Sequence, residues 1–235
     1  LTSENPGDAH LDSIDAFLIW NPREETEVPM MTAVYSGYTL YYASNHTTAE
    51  GLRSFVMVQA RDFLWGSQLG WMSPDLPDPY RGYFKKLGKL RVQLRKFLTY
   101  GELVGECEYV AASEIVGSSE EMTEKRDAAT PKVSAIWPWF GKQKVATLPA
   151  VMTSIWRAED GSLGVLIANL SESAQTHRYA FDPAKYGLSD SKLTYTRITE
   201  TGPGESFDVD GGAQSRTEKL EPHGVAVYEI RGGTA

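Results

Sequence analysis

The chain has a single cysteine, Cys107, so no internal disulfide can form and cysteine usage leaves the redox compartment open. It has no stretch approaching ~20 consecutive apolar residues, which excludes an α-helical membrane span. It has no basic excess: 23 Lys and Arg stand against 31 Asp and Glu, for a formal net charge of -8. That balance argues against nucleic acid and anionic membrane as partners and suits a neutral ligand such as a sugar. The four histidines, His10, His46, His177 and His223, are scattered without ligand spacing, so no zinc site is expected. Asp208-Val209-Asp210-Gly211-Gly212 lacks the further acidic ligands of a calcium loop and reads as a turn. There is no glycine-rich phosphate loop, internal repeat or low-complexity segment, and no cofactor is expected. Leu1 is not an initiator Met and no signal sequence follows it. The chain is therefore expected to be part of a longer polypeptide, with any targeting information upstream.

What is present is an ordinary soluble composition, 41% hydrophobic and 23% charged, in 235 residues. That length is one large domain or two small ones, enough to bury a core without covalent staples. Aromatics are plentiful, with 6 Trp and 12 Tyr, and serve either a core or a sugar platform.

The organising stretch runs from Val28 to Met72. Met30 to Tyr35 is an apolar run of strand length that breaks at Ser36-Gly37. Thr48 to Leu64 changes period: Leu52, Phe55, Val56, Gln59 and Phe63 recur at three- and four-residue spacing, which predicts a helix with one buried face. Gly66 stops it, and Leu69 to Met72 reads as a second buried strand. A strand, a helix and a strand make a βαβ unit, which requires a parallel sheet. Asp15 to Trp20 and Thr2 to Glu4 add two earlier strand-like runs.

Tyr80 to Tyr100 is the clearest helix. Phe84, Leu87, Leu90, Leu94 and Phe97 mark one face and lysines and arginines the other, a solvated side. After Glu102 the pattern changes. Ala146 to Arg157 reads as one long strand, Asp160-Gly161 as a hairpin turn and Leu163 to Leu170 as its partner. Thr176 to Phe181, Leu193 to Thr199, Glu205 to Val209 and Val225 to Ile230 are further short strands. The expected division is therefore residues 1–104, α/β with a parallel sheet, and residues 105–235, an antiparallel β-sandwich. Four strands cannot close a parallel barrel, and an open half would expose apolar surface and sheet edges. Alone, such a piece is expected to aggregate or bind a reporter dye.

The order of these motifs resembles a known plan. Thr2-Ser3-Glu4, Leu11 to Leu18, Val28-Pro29-Met30 leading to Ala33-Val34-Tyr35, and Phe63 to Met72 together resemble the second half of a bacterial glycoside-hydrolase-like (β/α)8 barrel. The plan is similar to endo-α-N-acetylgalactosaminidases and, more distantly, α-galactosidases, and Val151 to Ser171 is similar to the β-sandwich that follows such barrels. The resemblance implies retaining hydrolysis by two carboxyl groups, one a nucleophile and the other acid and then base. The nucleophile, usually Asp, would lie on an earlier strand not in this sequence. The partner so implied is the N-terminal half of the same barrel, as a separate segment or chain. The acid/base falls on Glu4.

The chemistry supports that choice: a carboxyl at the carboxy end of a barrel strand lies on the reacting face, and partial burial can raise its pKa. Against it stands the ordinary account of a Glu near a turn, an exposed surface residue. Asp12 and Asp15 are rival carboxylates, with Asp15 opening a strand at the face opposite chemistry. Trp20, Tyr35, Tyr38 and Trp71 are candidate sugar-binding aromatics, and Gln68 a hydroxyl partner; each aromatic has core packing as its other reading. Trp137-Pro138-Trp139-Phe140 is either a second platform or packing between domains. Asn45-His46-Thr47 and Asn169-Leu170-Ser171 fit the N-glycosylation pattern. The leading function is a glycoside hydrolase incomplete without an upstream segment. The alternative is a non-catalytic carbohydrate-binding or interaction protein with no carboxyl pair.

Overall fold

A computed structural model of the chain describes residues 2–4, 13, 15–18, 28–42, 51–70, 75–110, 132–139 and 142–233. Its first region holds a parallel sheet of β1 (Thr2–Glu4), β2 (Ala16–Leu18) and β3 (Leu40–Tyr42), in that spatial order. The register runs Thr2 to Ala16 to Leu40, Ser3 to Phe17 to Tyr41, and Glu4 to Leu18 to Tyr42. A parallel bridge from Tyr42 to Gln68 extends the sheet toward the fourth run.

Between β2 and β3 the structure corrects one expectation. Met30–Tyr35 is not a strand but a short helix, α1, closed by Ser36 N donating to Thr32 O at 3.0 Å. An apolar run this short fits either element by period alone. Pro29 just before the first turn and Gly37 (φ +84°) just past the last favour the helix. The expected helix is present as α2 (Gly51–Leu64), followed by α3 (Tyr80–Gln93) and α4 (Arg95–Leu98), which divide the expected long helix at Leu94.

The second region is antiparallel. Its strands are β4 (Glu102–Gly105), β5 (Glu108–Tyr109), β6 (Lys132–Trp139), β7 (Lys142–Pro149), β8 (Val151–Arg157), β9 (Leu163–Asn169), β10 (Gln175–Phe181), β11 (Lys192–Thr199), β12 (Gly202–Asp210), β13 (Gln214–Leu220) and β14 (Val225–Gly232). A six-stranded sheet runs β12-β11-β14-β9-β8-β4, a three-stranded sheet β13-β10-β5, and β6 pairs with β7 alone. The expected strand from Ala146 to Arg157 is broken at Ala150, because its first half pairs with β6 and its second with β9. β4, which spans the expected division after residue 104, pairs with β8 in the large sheet.

That sheet is the middle layer of three, and its alternation shows it. Ile155, Leu163, Val165, Ile167, Tyr228 and Ile230 face the small sheet. Trp156, Leu166, Ala168 and Val227 face α2, α3 and α4. β9 is consequently buried along its whole length, on both faces.

Trp156 fastens the helical layer. Its indole Nε1 donates to Leu64 O at 3.0 Å, occupying a carbonyl at the end of α2 that has no partner within the helix. Gly66 then turns with φ +76°, and a Cβ there would stand 2.4 Å from the Trp156 ring. At the far end of β9, Asn169 is fully buried. Its amide donates to Ser173 O and Glu221 O, while its oxygen accepts from Ser171 N and Oγ.

Candidate functional site

Parallel pairing brings Glu4, Leu18, Tyr42 and Gln68 into one cross-strand row. The row marks the carboxy ends of the strands, the edge at which parallel α/β sheets carry ligands and catalytic groups. Glu4 and Gln68 stand three strand spacings apart, about 14 Å. The segments that leave these strand ends, residues 5–12, 19–27, 43–50 and 71–74, lie outside the described residues, and with them Trp20, Trp71 and Asp12.

Gln68 is engaged from behind. Its main-chain N donates to Tyr41 O, and its side-chain Oε1 accepts from Arg91 Nε at 3.1 Å. Arg91 on α3 also donates through Nη2 to Gly66 O at 2.7 Å and Leu98 O at 3.3 Å. Burial pushes this guanidinium down to about 10, against the opposing charge of Asp62. With its oxygen held, Gln68 has its NH2 group to offer a ligand.

Tyr35 and Tyr38 are not brought to this row. Tyr35 ends α1, and Tyr38, 87% exposed, lies in the turn that enters β3 from its amino end. Both therefore sit at the edge opposite Glu4. The sequence reading put Tyr35 at the end of a strand, and the helical assignment of Met30–Tyr35 moves it. Asp15 is at that same amino edge, where its carbonyl accepts from Leu40 N and Thr39 Oγ1 at 3.1 Å each.

Sequence reasoning missed that α2 also buries charge. Gln59, Arg61 and Asp62 are at most 1% exposed, and the Arg61 guanidinium lies 4.2 Å from the Trp65 ring centroid. Arg61 and Trp65 line a cavity of about 480 Å³ with Pro29, Ala33, Leu103 and Thr153, at the joint of the two regions. The one available signal was a helix packed on more than one side that nonetheless carries charge. Among the described residues no group of three or more His, Cys, Asp or Glu could hold a metal, and no helix is long and apolar enough to cross a membrane.

Comparison with known proteins bears on the class. No protein-family model matches the chain. A Bacteroides thetaiotaomicron protein, whose name assigns it provisionally to the glycoside hydrolases, is 24% identical over 211 residues, covering 85% of this chain and 27% of its own length. The chain thus spans about a quarter of the curated relative it matches. Solved structures that overlap it include a GH27 β-L-arabinopyranosidase from Geobacillus stearothermophilus, at 9% identity and TM-score 0.43, covering 98% of this chain and 49% of that one. Another is α-galactosidase I from Mortierella vinacea, at 11% identity and TM-score 0.40, covering 97% and 56%. The chain resembles glycoside hydrolases.

Proposed function

We propose that the chain is the carboxy-terminal part of a retaining glycoside hydrolase and that Glu4 is its acid/base. The observation that carries this reading is the register row: Glu4 ends a strand of a parallel sheet in line with Leu18, Tyr42 and Gln68. In this reading β1, β2, β3 and the Gln68 run are neighbouring staves of one (β/α)8 barrel, and the β-sandwich follows from β4 onward. The other staves, and the nucleophile, come from the N-terminal half as a separate segment or chain.

In the first step Glu4 protonates the glycosidic oxygen while the partner carboxylate attacks the anomeric carbon, forming a glycosyl-enzyme bond. In the second, Glu4 as carboxylate takes a proton from the water that hydrolyses that bond. The two carboxyl groups need a separation of about 5–5.5 Å. Carbohydrate is the substrate class, in keeping with the relative's name and with the acidic balance of the chain.

The test is Glu4→Gln in the protein assembled with its N-terminal half, assayed on natural glycosides. A turnover loss of about 10²–10⁴-fold is expected for a general acid. Unchanged turnover removes Glu4 from the mechanism. A fully assembled site with no second carboxylate facing Glu4 removes the enzyme reading altogether, in favour of a carbohydrate-binding role.

A further inference from the structure

A second cavity, about 350 Å³, opens at the seam between the two sheets of the sandwich, far along the chain from Glu4. Glu106, Glu108, Tyr109, Met152, Gln175 and His177 line it. Its size falls within the range of small-molecule sites, about 300–1,000 Å³. His177 is 6% exposed, yet its Nε2 has no hydrogen-bond partner. A buried nitrogen on the wall of a cavity is a position that a ligand can satisfy. The imidazole is held in place by ring contacts, 5.5 Å to Tyr109 and 6.0 Å to Tyr179 between centroids.

The other polar groups decide what ligand fits. The Gln175 amide nitrogen already donates to the Ser171 and Ser173 hydroxyls at 3.0 Å each, so Gln175 offers the cavity its carbonyl oxygen. Thr153 Oγ1 accepts from Cys107 N at 2.9 Å. Glu106 and Glu108 are exposed carboxylates that only accept. The cavity is therefore rich in acceptors, repels anions, and carries an apolar wall of Pro149, Val151 and Met152. Acceptors beside an apolar wall suit a ring that presents hydroxyl donors on its rim and C–H bonds on its face.

We infer that the Glu106–His177 cleft of the sandwich is a binding subsite for a neutral pyranose, separate from the Glu4 row. The choice of a sugar among polyhydroxylated ligands rests on the hydrolase reading above. In this arrangement hydroxyls donate to Glu106, Glu108 and the Gln175 oxygen, and one hydroxyl pairs with His177 Nε2.

The experiment titrates the isotope-labelled chain, assembled with its N-terminal half, with D-galactose and N-acetyl-D-galactosamine, with spermidine and inorganic phosphate as controls. The expected result is a saturable shift of the His177 imidazole nitrogen and of the 106–109 amides, produced by the sugars alone. Glu108→Ala, an exposed position, weakens binding about tenfold, the loss of one charge-assisted hydrogen bond, with an unchanged melt. Glu4→Gln leaves the binding as it was. Absence of a shift with either sugar, a shift produced by spermidine instead, or full affinity in Glu108→Ala overturns the subsite. Sugar shifts in an assembled protein that turns over no glycoside sink the hydrolase reading and leave this site standing. Turnover without shifts does the reverse.

Discussion

The two sheets of this chain are built at very different scales. The strands of the parallel sheet are three residues long, whereas those of the six-stranded sheet reach nine. The large sheet closes apolar surface on both faces, against helices on one and the small sheet on the other. The parallel region leaves Val28, Met30, Val34, Tyr38 and Leu40 exposed; elsewhere among the described residues the exposed large hydrophobics are Val92 and Tyr100. The sandwich and the helical layer thus share one core, in which Phe55, Val56, Phe63 and Leu64 of α2 join Trp156 and Leu166.

The sharpest way to break that shared core is Trp156→Ala. The indole is fully buried, and its loss is expected to cost about 3–5 kcal/mol. Denaturant melts should show one lowered transition, and amide exchange should rise in α2 together with β9. Exchange confined to β9 would mean the regions are uncoupled.

Next in size is Gly66→Ala. It pushes a methyl into the Trp156 ring at a positive φ and is expected to cost about 1–3 kcal/mol in the same melts. A neutral result would show that the α2 terminus can shift away from the sandwich.

A smaller effect separates the regions by pH. Burial lowers the His177 imidazole from 6.5 to about 4. The unfolded chain takes up this proton near 6.5 while the folded chain resists it. Stability should therefore hold above pH 6.5 and fall as pH drops from 6.5 toward 4. Urea midpoints across that window should lose part of their slope in His177→Gln, and an unchanged slope would remove His177 as its source.

Smaller still is the clasp at the β8–β9 hairpin. Lys96 donates to Asp160 at 2.9 Å, to Glu229 at 2.8 Å and to Ser162 at 2.7 Å. Against the upward push of burial, hydrogen bonds from Ser162 and Lys96 hold the Asp160 carboxyl well below its ordinary value. Its contribution is present above the unfolded carboxyl pKa of about 3.9 and is lost as pH falls below it. Asp160→Asn should cost about 0.2–1 kcal/mol at neutral pH, less in high salt, read from melts at two ionic strengths. Val34→Ser should change stability by under about 0.5 kcal/mol and yet lower the binding of an apolar dye. Dye binding that is unaffected would mean the exposed stripe on α1 is not the surface at issue.

Much of this architecture could be read from the residues, for reasons that differ along the chain. Asp160-Gly161 between two apolar runs named a hairpin, because the turn chemistry and the strand period agree there. Leu52, Phe55, Val56 and Phe63 named α2, because a helix spanning several turns shows its period. Met30–Tyr35 misled, because six residues hold too few turns to show one. β13 carried no apolar signal: of Gln214–Leu220 only Leu220 is buried, so its place is set by pairing with β10. The candidate site was legible only in part. That Glu4 ends a strand was legible in the Thr2 to Glu4 run, whereas Arg91's hold on Gln68 and the buried charge of α2 depend on contacts between distant segments. No local pattern encodes those.

The bonding around Asn169 has a practical consequence for producing the protein. An oligosaccharide on that nitrogen would replace a hydrogen that the folded chain gives to Ser173 or Glu221 and would have to occupy space filled by neighbouring chain. In a host whose secretory pathway modifies Asn-X-Ser tripeptides, attachment could occur only before β9 is laid into the sheet. Each chain so marked would be denied its central strand. Yield in such a host would then depend on which happens first, transfer of the glycan or closure of the hairpin.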